Sequence, residues 1–155
     1  MGNLNRLSAT AAARKLASRE ITAVSLLRDC LERIAEREPT IRAWTFVDTD
    51  RAMQRARVLD SQATAGLLHG LPIAVKDLFD TFDMPTGYGS PIYDDHRPAA
   101  DAACVALARA AGAIVVGKTV TTEFATFHPG PTCNPRNPMH TPGGSSSGSA
   151  HRRQE

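Results

Sequence analysis

The chain has 155 residues, 42% of them hydrophobic, which is enough to bury a core and too many for a disordered segment. Its net charge of +2 gives no case for a nucleic-acid partner. Three cysteines, Cys30, Cys104 and Cys133, leave one unpaired and show no CxxC spacing, which argues against a disulfide framework or a zinc site and for a reducing, cytoplasmic location.

The opening stretch MGNLNRLSATAAARKLASRE carries charges throughout, unlike a secretory signal, and no segment approaches membrane-spanning length. Ser8 or Thr10 caps a first helix that runs to about Arg19, with Ala12, Leu16 and Ala17 at helical spacing. Thr22 caps a second, AVSLLRDCLERIAERE, whose Val24, Leu27, Leu31 and Ile34 make an apolar stripe; Glu38-Pro39 ends it. Ile41 to Val47 is either a strand or an extended link. A third helix spans about Asp48 to Asp60, capped by Asp48 or Thr49. After the loop SQATAGLLHG, the run LPIAVKD is a buried strand starting near Pro72. FDMPTGYGSPIYDDHRP is irregular, DAACVALARAAG is a helix closed by Gly112, and AIVVGK is a second buried strand. TTEF is a helical turn, and Phe127 to Gly144 is a proline-rich loop. Helix alternating with strand is the rhythm of an α/β fold. A helix between two short buried strands implies a parallel pair with a right-handed crossover. Two strands alone make no stable sheet, so further strands are expected.

Lys76 stands at the C-terminal end of the first buried strand, where α/β folds place working residues. Loss of solvent there would depress its pKa and make it a usable base. The alternative is a lysine that faces solvent or pairs with Asp77. GGSSSGS leaves three readings open: a flexible linker, an anion-binding nest, or the site of a catalytic serine. It ends in no GK[ST] and follows no clear strand, so it is neither a phosphate loop nor a nucleophile elbow. His69, His96, His128, His140 and His151 have no metal-ligand spacing. Asp94-Asp95-His96 is read as a solvated turn, Glu123 as a helix-start residue and Cys104 as small core filler.

Taken together, GLLHGLPIAVKDLFDTFDMPTGYGS, DAACVALARAAGAIVVGKTVTTEFA and NPRNPMHTPGGSSSGSA, in that order, resemble the amidase signature family from about Leu7 to Ala150. The resemblance implies N-terminal helices and the first strands of that family's large mixed sheet: residues 1–150 are part of such a domain, and 151–155 form an off-pattern tail. It implies hydrolysis of small-molecule amides by a Ser–Ser–Lys arrangement, without metal or cofactor and with no nucleic-acid or membrane partner. Lys76 matches the general base and Ser145 the bridging serine, which in the family follows a cis peptide bond. The family's nucleophilic serine lies in a second glycine-rich stretch further along, and Ser146, Ser147 and Ser149 are not at its place. The resemblance therefore implies a fragment that ends before the nucleophile and is inactive by itself. A non-catalytic binding fragment, or the amidotransferase branch of the same family, are the alternatives. The loop from Phe82 to Pro98 is expected to contribute to a pocket wall.

Overall fold

A computed structural model describes residues 3–150; the tail 151–155, with His151, lies outside the described residues. Helix α1 (Ala9–Ala17) begins where the Ser8 hydroxyl accepts from Ala11 N–H, 3.2 Å away. Helix α2 (Ala23–Ile41) is capped reciprocally: Ser25 N–H donates to the Thr22 hydroxyl at 3.0 Å and Thr22 N–H to the Ser25 hydroxyl at 3.1 Å. Pro39 does not stop this helix, contrary to the sequence expectation. The turn closes beyond it through Arg42 N–H to Glu38 O at 2.9 Å, and Ile41 is held in the core at 1% exposure. The Glu38 carboxylate then takes the N–H groups of Ala43 and Trp44, at 3.1 and 2.9 Å, and turns the chain into a strand.

That strand is β1 (Trp44–Val47), which settles the strand-or-link question for Ile41 to Val47. Helix α3 (Thr49–Asp60) follows, with the Asp48 carboxylate capping Arg51 N–H at 3.0 Å. Strand β2 (Pro72–Lys76), helix α4 (Ala103–Ala110), strand β3 (Ile114–Thr119) and a short α5 (Ser147–Ala150) complete the order, with single 3-10 turns at Leu4–Arg6, Pro91–Tyr93 and Glu123–Ala125. Gly112 sits beyond α4 at φ +92, where its Cβ position lies 2.8 Å from the His69 Cα, so both conformation and space require glycine.

The strands form one sheet in the order β1-β3-β2. β1 runs antiparallel to β3, pairing Trp44 with Thr119 and Val47 with Gly117, with a bulge between Trp44 and Phe46. β2 runs parallel to β3: Ile114 N–H donates to Leu71 O at one end and Asp77 N–H to Thr119 O at the other, both at 2.8 Å. The central position of β3 explains a difference from expectation. Every residue of β3 is buried, whereas β2, on the sheet edge, is only half-buried apart from Val75.

The chain divides into two compact units. One comprises the residues up to Glu36, Asp48–Ile73 and Ala106–Val116. Its buried side chains are small or aliphatic, among them Ala12, Leu16, Leu27, Ala56 and Leu59. The His69 ring closes its loop, accepting from Ala65 N–H at 3.3 Å and donating to Leu59 O at 3.2 Å. The other unit comprises Arg37–Val47, Ala74–Val105 and the residues from Gly117 on, and it contains every candidate catalytic residue. Cys104 is exposed rather than core filler, because the buried side of α4 there is taken by the adjacent Val105.

In the first unit the N-terminus of α2 rests on one carboxylate. Ala23 and Val24 N–H donate to the two oxygens of Asp60 at 2.7 and 3.1 Å, and the negative charge also suits the positive end of the helix. Asp60→Ala is expected to lower stability by about 1–2 kcal/mol in urea unfolding, with Asp60→Asn in between. An Asp60→Ala chain with the parent's denaturation midpoint would show that this cap contributes nothing.

Candidate active site

Lys76 is the last residue of β2, and its Nζ donates to the Ser145 hydroxyl at 3.0 Å. The structure thus joins the two candidates, 69 residues apart in sequence, that motif reading singled out. Lys76 does not pair with Asp77: strand alternation turns the neighbouring side chain to the other face, where Asp77 is 4% exposed and faces Lys118. Burial pushes the Lys76 ammonium below its ordinary pKa, which favours the neutral amine.

Ser145 is held by backbone contacts with the continuation of β3. Thr122 N–H donates to Ser145 O at 3.0 Å, and Gly148 N–H donates to Val120 O at 3.1 Å. Ser147 is buried and its hydroxyl donates to the same Val120 carbonyl at 3.4 Å, while the Ser149 and Thr119 hydroxyls meet at 3.0 Å. The glycine-serine stretch is therefore a docked turn running into α5, not a linker. Gly148 makes the docking possible. A Cβ there would lie 2.3 Å from Ala43 O and 2.6 Å from Val120 N, both rigid backbone atoms.

The glycines before Ser145 differ from expectation. Among the described residues no peptide bond is cis, so the Gly144–Ser145 bond is trans. Gly143 and Gly144 adopt φ +81 and +72, and nothing lies within 4 Å of either Cβ position.

A cavity of about 400 Å³ opens beside Ser145, lined also by Thr122, Phe127, Thr132 and Gly144. None of Phe82 to Pro98 is among the residues that line this cavity. That loop folds on itself: the rings of Tyr88 and Tyr93 meet edge to face at 4.9 Å, and Tyr93 meets His96 at 5.6 Å. Asp94, Asp95 and His96 are exposed, as a solvated turn should be, and Glu123 begins a 3-10 turn and accepts from the Ser90 hydroxyl at 2.7 Å. Among the described residues no group of three His, Cys, Asp or Glu could hold a metal ion, and no helix is long and apolar enough to cross a membrane.

Sequence reasoning missed Lys118 and its partners. Lys118 is 0% exposed, 3.1 Å from Asp77 Oδ1, and donates to the Thr86 hydroxyl at 2.6 Å. The signal was present: a charged residue inside the apolar run AIVVGK must find a buried partner.

Comparison with known proteins shows the family. The family model described as Amidase matches residues 25–151. A glutamyl-tRNA(Gln) amidotransferase chain of Acidothermus cellulolyticus is 41% identical over 97% of this chain and 32% of its own length. A protein of Mycobacterium bovis carrying the amidase name AmiD is 39% identical over 94% of this chain and 32% of its own. The solved peptide amidase of Stenotrophomonas maltophilia superposes with a TM-score of 0.85 at 31% identity, covering 93% of this chain and 33% of that one. The chain thus spans about a third of the length of the curated relatives it matches.

The contact between Lys76 and Ser145 depends on close backbone approach at Gly148. Gly148→Ala is expected to lift residues 145–150 off the continuation of β3. Hydrogen exchange should then show lost protection at the Thr122 and Gly148 amides, with the α3 amides unchanged. Unaltered protection at those two amides would refute the docking role of Gly148.

Proposed function

The chain belongs to the amidase family, and on that premise we propose that Lys76 and Ser145 are the general base and the proton relay of an amide-hydrolysing Ser–Ser–Lys site. The observation that carries this reading is the 3.0 Å contact between a half-buried amine, its pKa lowered by loss of solvent, and a hydroxyl at the edge of an open cavity. Neutral Lys76 takes the proton of Ser145, Ser145 takes that of an attacking serine, and the serine adds to the amide carbonyl. The relay then runs backwards to protonate the leaving amine, and water or another nucleophile releases the acyl group. The chemistry needs no metal or cofactor.

None of the neighbouring serines suits the attacking role. Ser147 is buried on Val120 O and Ser149 is engaged with Thr119, while Ser146 is at the bridging serine's neighbour position and not at the place of the family's nucleophile. The described residues thus provide base and relay, and the 155-residue chain by itself is expected to turn over no amide. A small-molecule amide is the substrate class. The amidotransferase branch remains a second reading, favoured by the 41% identity to the amidotransferase chain of Acidothermus cellulolyticus.

A hybrid in which residues 1–150 replace the matching third of the Mycobacterium bovis relative tests the assignment. It should hydrolyse a simple aryl amide, and Lys76→Ala or Ser145→Ala within it should reduce kcat by about 10³-fold or more. A folded hybrid whose turnover survives either substitution refutes the assigned roles.

A further inference from the structure

Lys118 and Asp77 take no part in the proton relay, yet both are buried beside it. Lys118 Nζ lies 3.1 Å from Asp77 Oδ1, an ion pair by distance. The same Nζ donates to the Thr86 hydroxyl at 2.6 Å and to Pro85 O at 3.3 Å. The other Asp77 oxygen accepts from Gly87 N–H at 3.1 Å, where the glycine approaches so closely that a Cβ would lie 3.3 Å from it. These contacts tie the end of β2, the centre of the sheet and the 85–87 turn to one another.

Stability is a poor explanation for such a pair. Burial pushes the Asp77 carboxyl up, more strongly than the charge of Lys118 pulls it down. Burial likewise pushes the Lys118 ammonium down, against the charges of Asp77, Asp80 and Asp83. Where desolvation outweighs attraction, a buried ion pair adds little stability over apolar residues of the same volume. Its placement is more informative. Asp77 directly follows Lys76, and its N–H is bonded at 2.8 Å to Thr119 O, the residue directly after Lys118. Thr119 also meets Ser149 through its side chain at 3.0 Å.

We propose that Asp77, Lys118 and Thr86 form a positioning cluster that locks the end of β2 against β3 and thereby sets the depth of Lys76 beneath Ser145. The proposal rests on the relay reading of Lys76 and Ser145. Strand alternation supplies the lever: with Asp77 drawn into the core, Lys76 is turned to the opposite face, toward Ser145.

The test is the protonation of Lys76 in the 155-residue chain. Labelling by an amine-selective reagent, read peptide by peptide in mass spectra across the alkaline range, gives its titration midpoint. The parent midpoint should lie below 10.5. The double variant Asp77→Asn/Lys118→Met removes one charge of each sign, leaves Asp80 and Asp83 in place, and so separates position from net field. Its Lys76 midpoint should rise by about one pH unit as water reaches the freed amine. Thr86→Val keeps both charges, removes one hydrogen bond, and should raise the midpoint by less; it decides the matter if the double variant does not fold. A folded double variant, or failing that Thr86→Val, with the parent's lowered midpoint overturns the positioning role alone. A parent midpoint at the ordinary lysine value overturns the relay reading, and the positioning role with it.

Discussion

Every contact that brings Lys76 to Ser145 is made through strand β3 and the three residues beyond it. Thr119 accepts the N–H that ends β2, Val120 donates to Ala43 O at 2.9 Å, and Val120 O and Thr122 N–H receive the glycine-serine turn. Ile114 to Thr122 are all buried, so none of these backbone groups can turn to water if a partner is lost. The strand therefore acts as a ruler. The residue after Lys76 is bonded to one side of it, and the turn that carries Ser145 to the other side of its continuation.

That arrangement asks for small residues where main chains meet. At Gly117 a Cβ would lie 2.2 Å from Phe46 O, and at Gly148 one would lie 2.3 Å from Ala43 O. Both glycines have their backbone pressed against β1 or the residue before it. Neither has a positive φ, so closeness rather than conformation selects the residue. Gly143 and Gly144 are the reverse case: both have positive φ with nothing near them. One short motif thus uses its glycines for two different physical reasons.

The α/β alternation, the caps at Ser8 and Asp48 and the strand bearing Lys76 were legible because each is a local pattern of period, cap and turn. The N-terminus of α2 was legible, its end was not: Pro39 argues for a stop, and only the burial of Ile41 and the carboxylate of Glu38 show why the helix passes it. Half-burial of β2 was invisible for a related reason, since an edge strand and a central strand carry the same apolar run and differ only in their neighbours. In the site, Lys76 and Ser145 came from motif resemblance, and their contact spans 69 positions that no local rule connects. Lys118 was the readable omission, because charge inside an apolar strand is itself a sign of a partner elsewhere.

The mismatch at Gly144–Ser145 shows which part of the site these residues determine. The turn after Ser145 is fixed by four contacts to Thr119, Val120 and Thr122, all within one compact unit. Before Ser145, the Cβ positions of Gly143 and Gly144 face open space. Lys76 and Ser145 thus meet within one compact unit of a chain that spans about a third of a relative's length.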